Sequence, residues 1–85
     1  MNRILVEIEC IVTGKVYDFL LPADMTVRVA RRKIADEIME YEHNDALFPE
    51  EKNCYLADLV HGELLNDKYT LSEAGISGGN RLILV

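Results

Sequence analysis

Arg3-Ile4-Leu5-Val6-Glu7-Ile8-Glu9-Cys10-Ile11-Val12-Thr13-Gly14-Lys15-Val16-Tyr17-Asp18-Phe19-Leu20-Leu21 is the stretch from which the architecture follows. In its first half Ile4, Val6 and Ile8 fall on one face and Leu5, Glu7 and Glu9 on the other. That is the period of a half-buried strand, here over 3–12. Thr13-Gly14-Lys15 reads as the turn, with Gly14 free to take a positive φ. From Val16 to Leu21 β-branched and aromatic residues dominate, and Tyr17, Phe19 and Leu21 share a face. Two strands joined by a short glycine-containing turn predict an antiparallel hairpin.

Working outward, Pro22 ends the hairpin, and Asp24 or Thr26 is placed to cap a helix. Val27, Ala30, Ile34, Ile38 and Tyr41 then recur at helical spacing, which predicts a helix over about 26–42 with one buried stripe. Residues 42–53 form a polar connection, with Leu47 and Phe48 expected in a satellite cluster beneath it. Cys54–Val60 reads as a third strand, and Gly62–Asp67 as a turn with a very short fourth. Tyr69–Ile76 reads as one helical turn, with a Thr or Ser cap and a Gly exit. Ser77–Asn80 is a turn and Arg81–Val85 a last strand, with Leu82 and Leu84 opposed to Ile83 and Val85. The predicted order is β-β-α-β-β-β without repeats or a linker: one α+β domain over 1–85.

Composition narrows the function. The chain has 85 residues, 49% hydrophobic and 28% charged, as in a globular domain rather than a disordered tail. No apolar run approaches the ~18–20 residues of a membrane span, and no signal peptide is evident, so membrane insertion is not expected and a cytoplasmic location is. A chain this short buries only about 60–65% of its unfolded surface. That leaves little interior for a deep catalytic pocket, so a binding module is favoured over an enzyme. GxSxG, P-loop, CxxC and HExxH motifs are absent. The formal net charge of −6 argues against nucleic-acid binding. Cys10 and Cys54, each within an apolar run, read as buried reduced thiols. His43, near Asp45, Glu50 and Glu51, and the isolated His61 match no standard ligand spacing, so neither a metal nor a cofactor is expected.

Thr13-Gly14-Lys15, the Tyr17/Phe19/Leu21 alternation, Thr26-Val27 and Ile34 resemble the first hairpin and helix of ubiquitin. Tyr69-Thr70-Leu71-Ser72-Glu73, Gly75-Ile76 and Arg81–Val85 resemble its penultimate 3₁₀ turn and closing strand. The resemblance covers nearly the whole chain, 42–56 being its weakest stretch, and implies the β-grasp fold: a mixed five-stranded sheet, one main helix and a short helical turn before the last strand. Val16–Leu21 and Leu71–Leu82 further resemble the YukD-like bacterial ubiquitin-like proteins, which accompany the type VII (WXG100, ESAT-6-like) secretion apparatus. That resemblance implies a cytosolic accessory or regulatory component of such a system. Ubiquitin-type modifiers and sulfur carriers end in Gly-Gly. Here the sequence finishes at Leu84-Val85 and Gly78-Gly79 is internal, so conjugation is not expected. The alternatives are a modifier or sulfur carrier whose tail is truncated, or a ubiquitin-like domain of a larger regulatory protein.

Two surfaces are candidates for contact with a protein partner or a second copy. One is the outward sheet face, with Leu5, Val16, Leu20, Leu59, Ile83 and Val85. The other is the helix, whose first half carries Arg28, Arg31, Arg32 and Lys33, and whose second half carries Asp36, Glu37, Glu40 and Glu42. That order runs against the helix dipole. It makes Arg28 and Arg32 candidates for docking an acidic partner, or an ordinary solvated face. By resemblance to ubiquitin, Arg31 pairs with an acid after the fourth strand, here Asp67.

Overall fold

A computed structural model describes residues 2–48, 54–59 and 62–85. The elements are β1 (Arg3–Cys10), β2 (Lys15–Pro22), α1 (Val27–Glu42), β3 (Leu56–Asp58), β4 (Glu63–Leu64) and β5 (Arg81–Leu84). They form one five-stranded sheet in the order β2-β1-β5-β3-β4. β1 is antiparallel to β2 and parallel to β5, and β3 is antiparallel to both β5 and β4, so the sheet is mixed. This is the β-β-α-β-β-β order that the hydrophobic pattern predicts.

The core lies between α1 and the inner sheet face. Val6, Ile8 and Cys10 of β1, Leu21, Leu56, Leu82 and Leu84 meet Val27, Ala30, Ile34, Ala35 and Ile38 of α1 in a single buried cluster. The alternation expected in the first and last strands is seen, since Leu82 and Leu84 are fully buried and Ile83 is half-buried.

The helix start is set by Thr26, whose hydroxyl accepts from the Val29 N–H at 3.3 Å. Its end is a Schellman arrangement. The His43 N–H donates to Glu40 O (3.2 Å) and the Asn44 N–H to Met39 O (3.0 Å), with His43 left-handed at φ 54°. Residues 70–76 make one helical turn, too short for a regular 3₁₀ element. It carries a reciprocal capping box: the Thr70 N–H donates to Glu73 Oε1 (2.9 Å) and the Glu73 N–H to Thr70 Oγ1 (3.0 Å). Gly75, at φ 81°, ends it.

Four expectations need correction. β1 stops at Cys10, and Ile11 and Val12 belong to the turn, because register with β5 ends at Cys10–Leu84. Tyr41 sits at the right angle for the buried stripe but is 73% exposed; on the last helical turn its ring makes a T-shaped contact with Tyr17, centroids 6.0 Å apart. Phe48 belongs to the main core rather than a satellite cluster. The third strand is confined to Leu56–Asp58; Val60, His61 and the acids Glu50 and Glu51 lie outside the described residues.

Candidate functional site: the outer sheet face and its surroundings

Register places the outward side chains in rows. Leu5 stands opposite Leu20. Asp18, Glu7 and Arg81 form the next row across β2, β1 and β5. Val16, Glu9, Ile83, Ala57 and Leu64 form a third across all five strands. A fourth begins with Val85 and Tyr55, whose backbones exchange hydrogen bonds of 2.8 and 2.9 Å. Ile11 lies beside it, its N–H donating to Leu84 O at 3.3 Å.

The candidate residues therefore face outward, Ile83 half-buried and the others exposed, but they do not make one patch. The central row is ionic, since Arg81 clasps Glu7 through Nε and Nη2 at 3.0 and 2.9 Å. It separates the Leu5–Leu20 pair from a larger apolar area around Ile83, Val85, Tyr55, Ile11 and Leu64. Leu5, Leu20 and Val85 are each about half exposed, at 52%, 56% and 49%. Leu59, at 43%, follows β3 beyond its last paired residue. Ile11, Val12, Tyr55 and Leu64 also belong to this exposed apolar set and were not singled out from sequence. A strand read over 3–12 turns Val12 inward, whereas Ile11 shares the outward parity of Leu5, Glu7 and Glu9; β3–β5 pairing alone brings Tyr55 beside Val85.

The helix cations are largely occupied. Arg32 pairs with Asp36 at 3.5 Å and Lys33 with Glu37 at 3.3 Å. Arg31 forks onto both Asp67 oxygens at 2.9 Å, donates Nη1 to Cys54 O at 3.1 Å, and lies 5.3 Å over the Tyr55 ring. Asp67 holds the guanidinium charged, and Arg31 in turn holds the Asp67 carboxyl below its ordinary range. Arg28 is exposed on the same side, and its N–H donates to Asp67 O. A groove of about 690 Å³ runs along Arg28, Arg31, Arg32, Lys33 and Cys54, but Asp36 and Glu37 line it too. The helix face is thus charge-balanced along most of its length.

A third cluster ties the hairpin to the helix end. Tyr17 Oη donates to Glu42 Oε2 (2.6 Å), and Lys15 Nζ reaches both Glu42 oxygens at 3.0 and 3.1 Å. Tyr17, then Lys15, lower the Glu42 carboxyl, while burial and the Glu42 bond raise the Tyr17 phenol. Cys10 and Cys54 are free and buried, and burial pushes the Cys54 thiol up, which makes it a poor nucleophile. Among the described residues no group of three metal-ligating side chains comes together, and no helix is long and apolar enough to cross a membrane.

No protein-family model matches the sequence, and no curated protein matches it. Solved structures do. A Caldiarchaeum subterraneum ubiquitin superposes with a TM-score of 0.71 at 20% identity, covering 98% of this chain and 91% of that one. The ubiquitin-like domain of Plasmodium falciparum Dsk2 gives 0.72 at 27% identity, covering 99% and 97%. A chain of a toluene 4-monooxygenase complex gives 0.80 at only 14% identity, covering 99% and 98%. That last likeness is one of fold alone and shows the same backbone in a different setting. With its helix cradled by a five-stranded mixed sheet, the chain has the ubiquitin-like β-grasp fold.

Proposed function

We propose that the chain is a non-enzymatic interaction module that docks a partner protein on its outer sheet face. The observation carrying this reading is the apolar area around Ile83, Val85, Tyr55, Ile11 and Leu64, which the strand register assembles outside the core. Exposed aromatic and aliphatic side chains rimmed by charges, here Glu9 and the Glu7–Arg81 pair, are the composition of an interface core and rim. The helix patch is the weaker candidate, because three of its four cations, Arg31, Arg32 and Lys33, are already paired with acids. We place the module in the cytoplasm, as an accessory or regulatory component of a type VII secretion system. The support is the likeness of Val16–Leu21 and Leu71–Leu82 to the YukD-like proteins. The lack of a catalytic motif supports the non-enzymatic part.

The test is affinity capture from the source organism's cytosol with wild type, Ile83→Glu and Leu82→Ala. Ile83→Glu is expected to lose a WXG100 protein or its membrane ATPase while its melting temperature stays within a few degrees. Leu82→Ala, in the core, is expected to lose about 3 kcal/mol of stability. Undiminished capture by Ile83→Glu contradicts the docking face; capture of unrelated proteins contradicts the secretion role. A second reading, a ubiquitin-like domain of a larger regulatory protein, is favoured by the Dsk2 match, which is itself a named domain. The mass of the native protein separates the two.

A further inference from the structure

The strand register leaves one carboxylate where the needs of the fold do not account for it. Glu9 faces outward from β1, opposite Val16 of β2 and Ile83 of β5, and Ile11 follows it on the same side. It is half-buried, and the neighbouring Glu7 row is its polar side. Glu is depleted in strands, and a β-branched residue between Val16 and Ile83 would stabilise the sheet more. Among the described residues the Glu9 carboxylate has no ion pair and no side-chain hydrogen bond. The cations of the adjoining strands are engaged elsewhere. Arg81, one row away, gives Nε and Nη2 to Glu7 Oε2. Lys15, at the start of β2, reaches Glu42 instead.

Glu9, Ile83, Ala57 and Leu64 lie in one line across β1, β5, β3 and β4. Ala57 is the small member, with Ile83 and Leu64 on either side, so a bulky apolar side chain has room over it. Two strand spacings of ~4.8 Å separate Glu9 from Ala57, about 10 Å in all. Seven residues of α-helix, at a rise of ~1.5 Å each, cover about 10.5 Å and return to nearly the same face. Covering this line removes water from Glu9. A carboxylate left unpaired in a closing interface is costly, whereas one met by a cation helps to decide which partner binds. Charge decides against a second copy as the occupant. Each copy brings its own Glu9 and an Arg81 already committed to Glu7, so two such faces hold uncompensated carboxylates.

We infer, resting on the docking face proposed above, that Glu9 selects the partner: the occupant is an amphipathic helix that crosses the strands and sets a Lys or Arg against Glu9. A large apolar side chain seven residues along that helix lies over Ala57, and the apolar side chains between them cover Ile83. The two middle rows of the face carry Glu7, Glu9 and Asp18 against one cation, Arg81. With a net charge of −6 on the chain, a cationic segment is favoured on approach as well as in contact. A partner with an acid at that position sets carboxylate against carboxylate as water leaves, and is rejected.

The probe is a capped, alanine-rich helical peptide with Lys at position i and Leu at i+3, i+4 and i+7, titrated into ¹⁵N-labelled full chain. Its counterpart carries Glu for Lys. The Lys peptide is expected to shift the Glu9, Ala57 and Ile83 amides saturably, and the Glu peptide to bind about tenfold more weakly. Glu9→Gln, its fold checked by its melt, brings the two peptides within about twofold, and Glu9→Lys reverses their order. Glu40→Gln, which removes an exposed charge from the helix instead, keeps the preference. Equal binding of both peptides at the sheet face, a preference that survives Glu9→Gln, or one lost in Glu40→Gln overturns the role of Glu9 and leaves the docking face standing. No saturable shift also overturns it. Shifts confined to Arg28, Val29 and Arg32 overturn the docking face with it. Peptide-free, concentration-dependent shifts at the same amides mean that a second copy fills the face, and overturn it too.

Discussion

Replacing Arg31 with alanine removes three hydrogen bonds that join α1 to the entry of β3 and to the loop after β4. The Arg31 side chain is 13% exposed and that of Asp67 35%. A fully exposed ion pair is worth ~0–1 kcal/mol, while losing one partner of a fully buried pair costs ~3–5 kcal/mol. One end here is buried and the other a third open, where water can take over part of Asp67's solvation. The pair then accounts for about 1–2 kcal/mol, and the deserted Cys54 carbonyl adds about 1 kcal/mol. The expected loss is ~2–3 kcal/mol, equivalent to a fall of roughly 10–20 °C in melting temperature for a domain of this size. Urea unfolding followed by far-UV circular dichroism measures it directly, since the chain has no tryptophan for fluorescence. Arg31→Lys is expected to recover less than half, because an ammonium cannot fork onto both Asp67 oxygens while also reaching Cys54 O. A loss below about 0.5 kcal/mol for Arg31→Ala, in the range of an ordinary surface change, refutes the reasoning and makes the pair a solvated one.

Two further outcomes are expected. His43→Gly raises the melting temperature by a few degrees, because the φ of 54° costs an L-residue ~1 kcal/mol and a glycine nothing; an unchanged or lower melt contradicts it. Asp67 has its folded pKa lowered, by the Arg31 bond first, so its contribution is present at neutral pH and is lost as pH falls below about 4 through the folded value. Thermal melts of wild type and Asp67→Asn are therefore expected to differ most near pH 7 and to converge in acid; a constant gap contradicts the assignment.

The sequence carried some of this more plainly than the rest. Strand alternation at Ile4, Val6 and Ile8 and at Leu82 and Leu84 is a period-two signal in residues that are fully or mostly buried, and it survived folding intact. Thr26 and Gly75 were legible because caps and exits depend on local chemistry. Ile11 and Val12 were misread because apolar identity extends the alternation past the point where β5 stops pairing. Tyr41 has the correct helical angle, but periodicity does not say how far the sheet extends beneath it. The candidate face mixed both kinds of information. Ile83 and Val85 follow from parity within a strand, whereas the ionic Asp18–Glu7–Arg81 row that divides the face depends on pairing between strands distant in sequence.

The docking claim is tested most directly by amide chemical-shift mapping of the ¹⁵N-labelled chain with its captured partner. The largest changes are predicted at Tyr55, Ala57, Ile83 and Val85, and their loss in Ile83→Glu. Changes confined to Arg28, Val29 and Arg32, with the sheet face silent, contradict it.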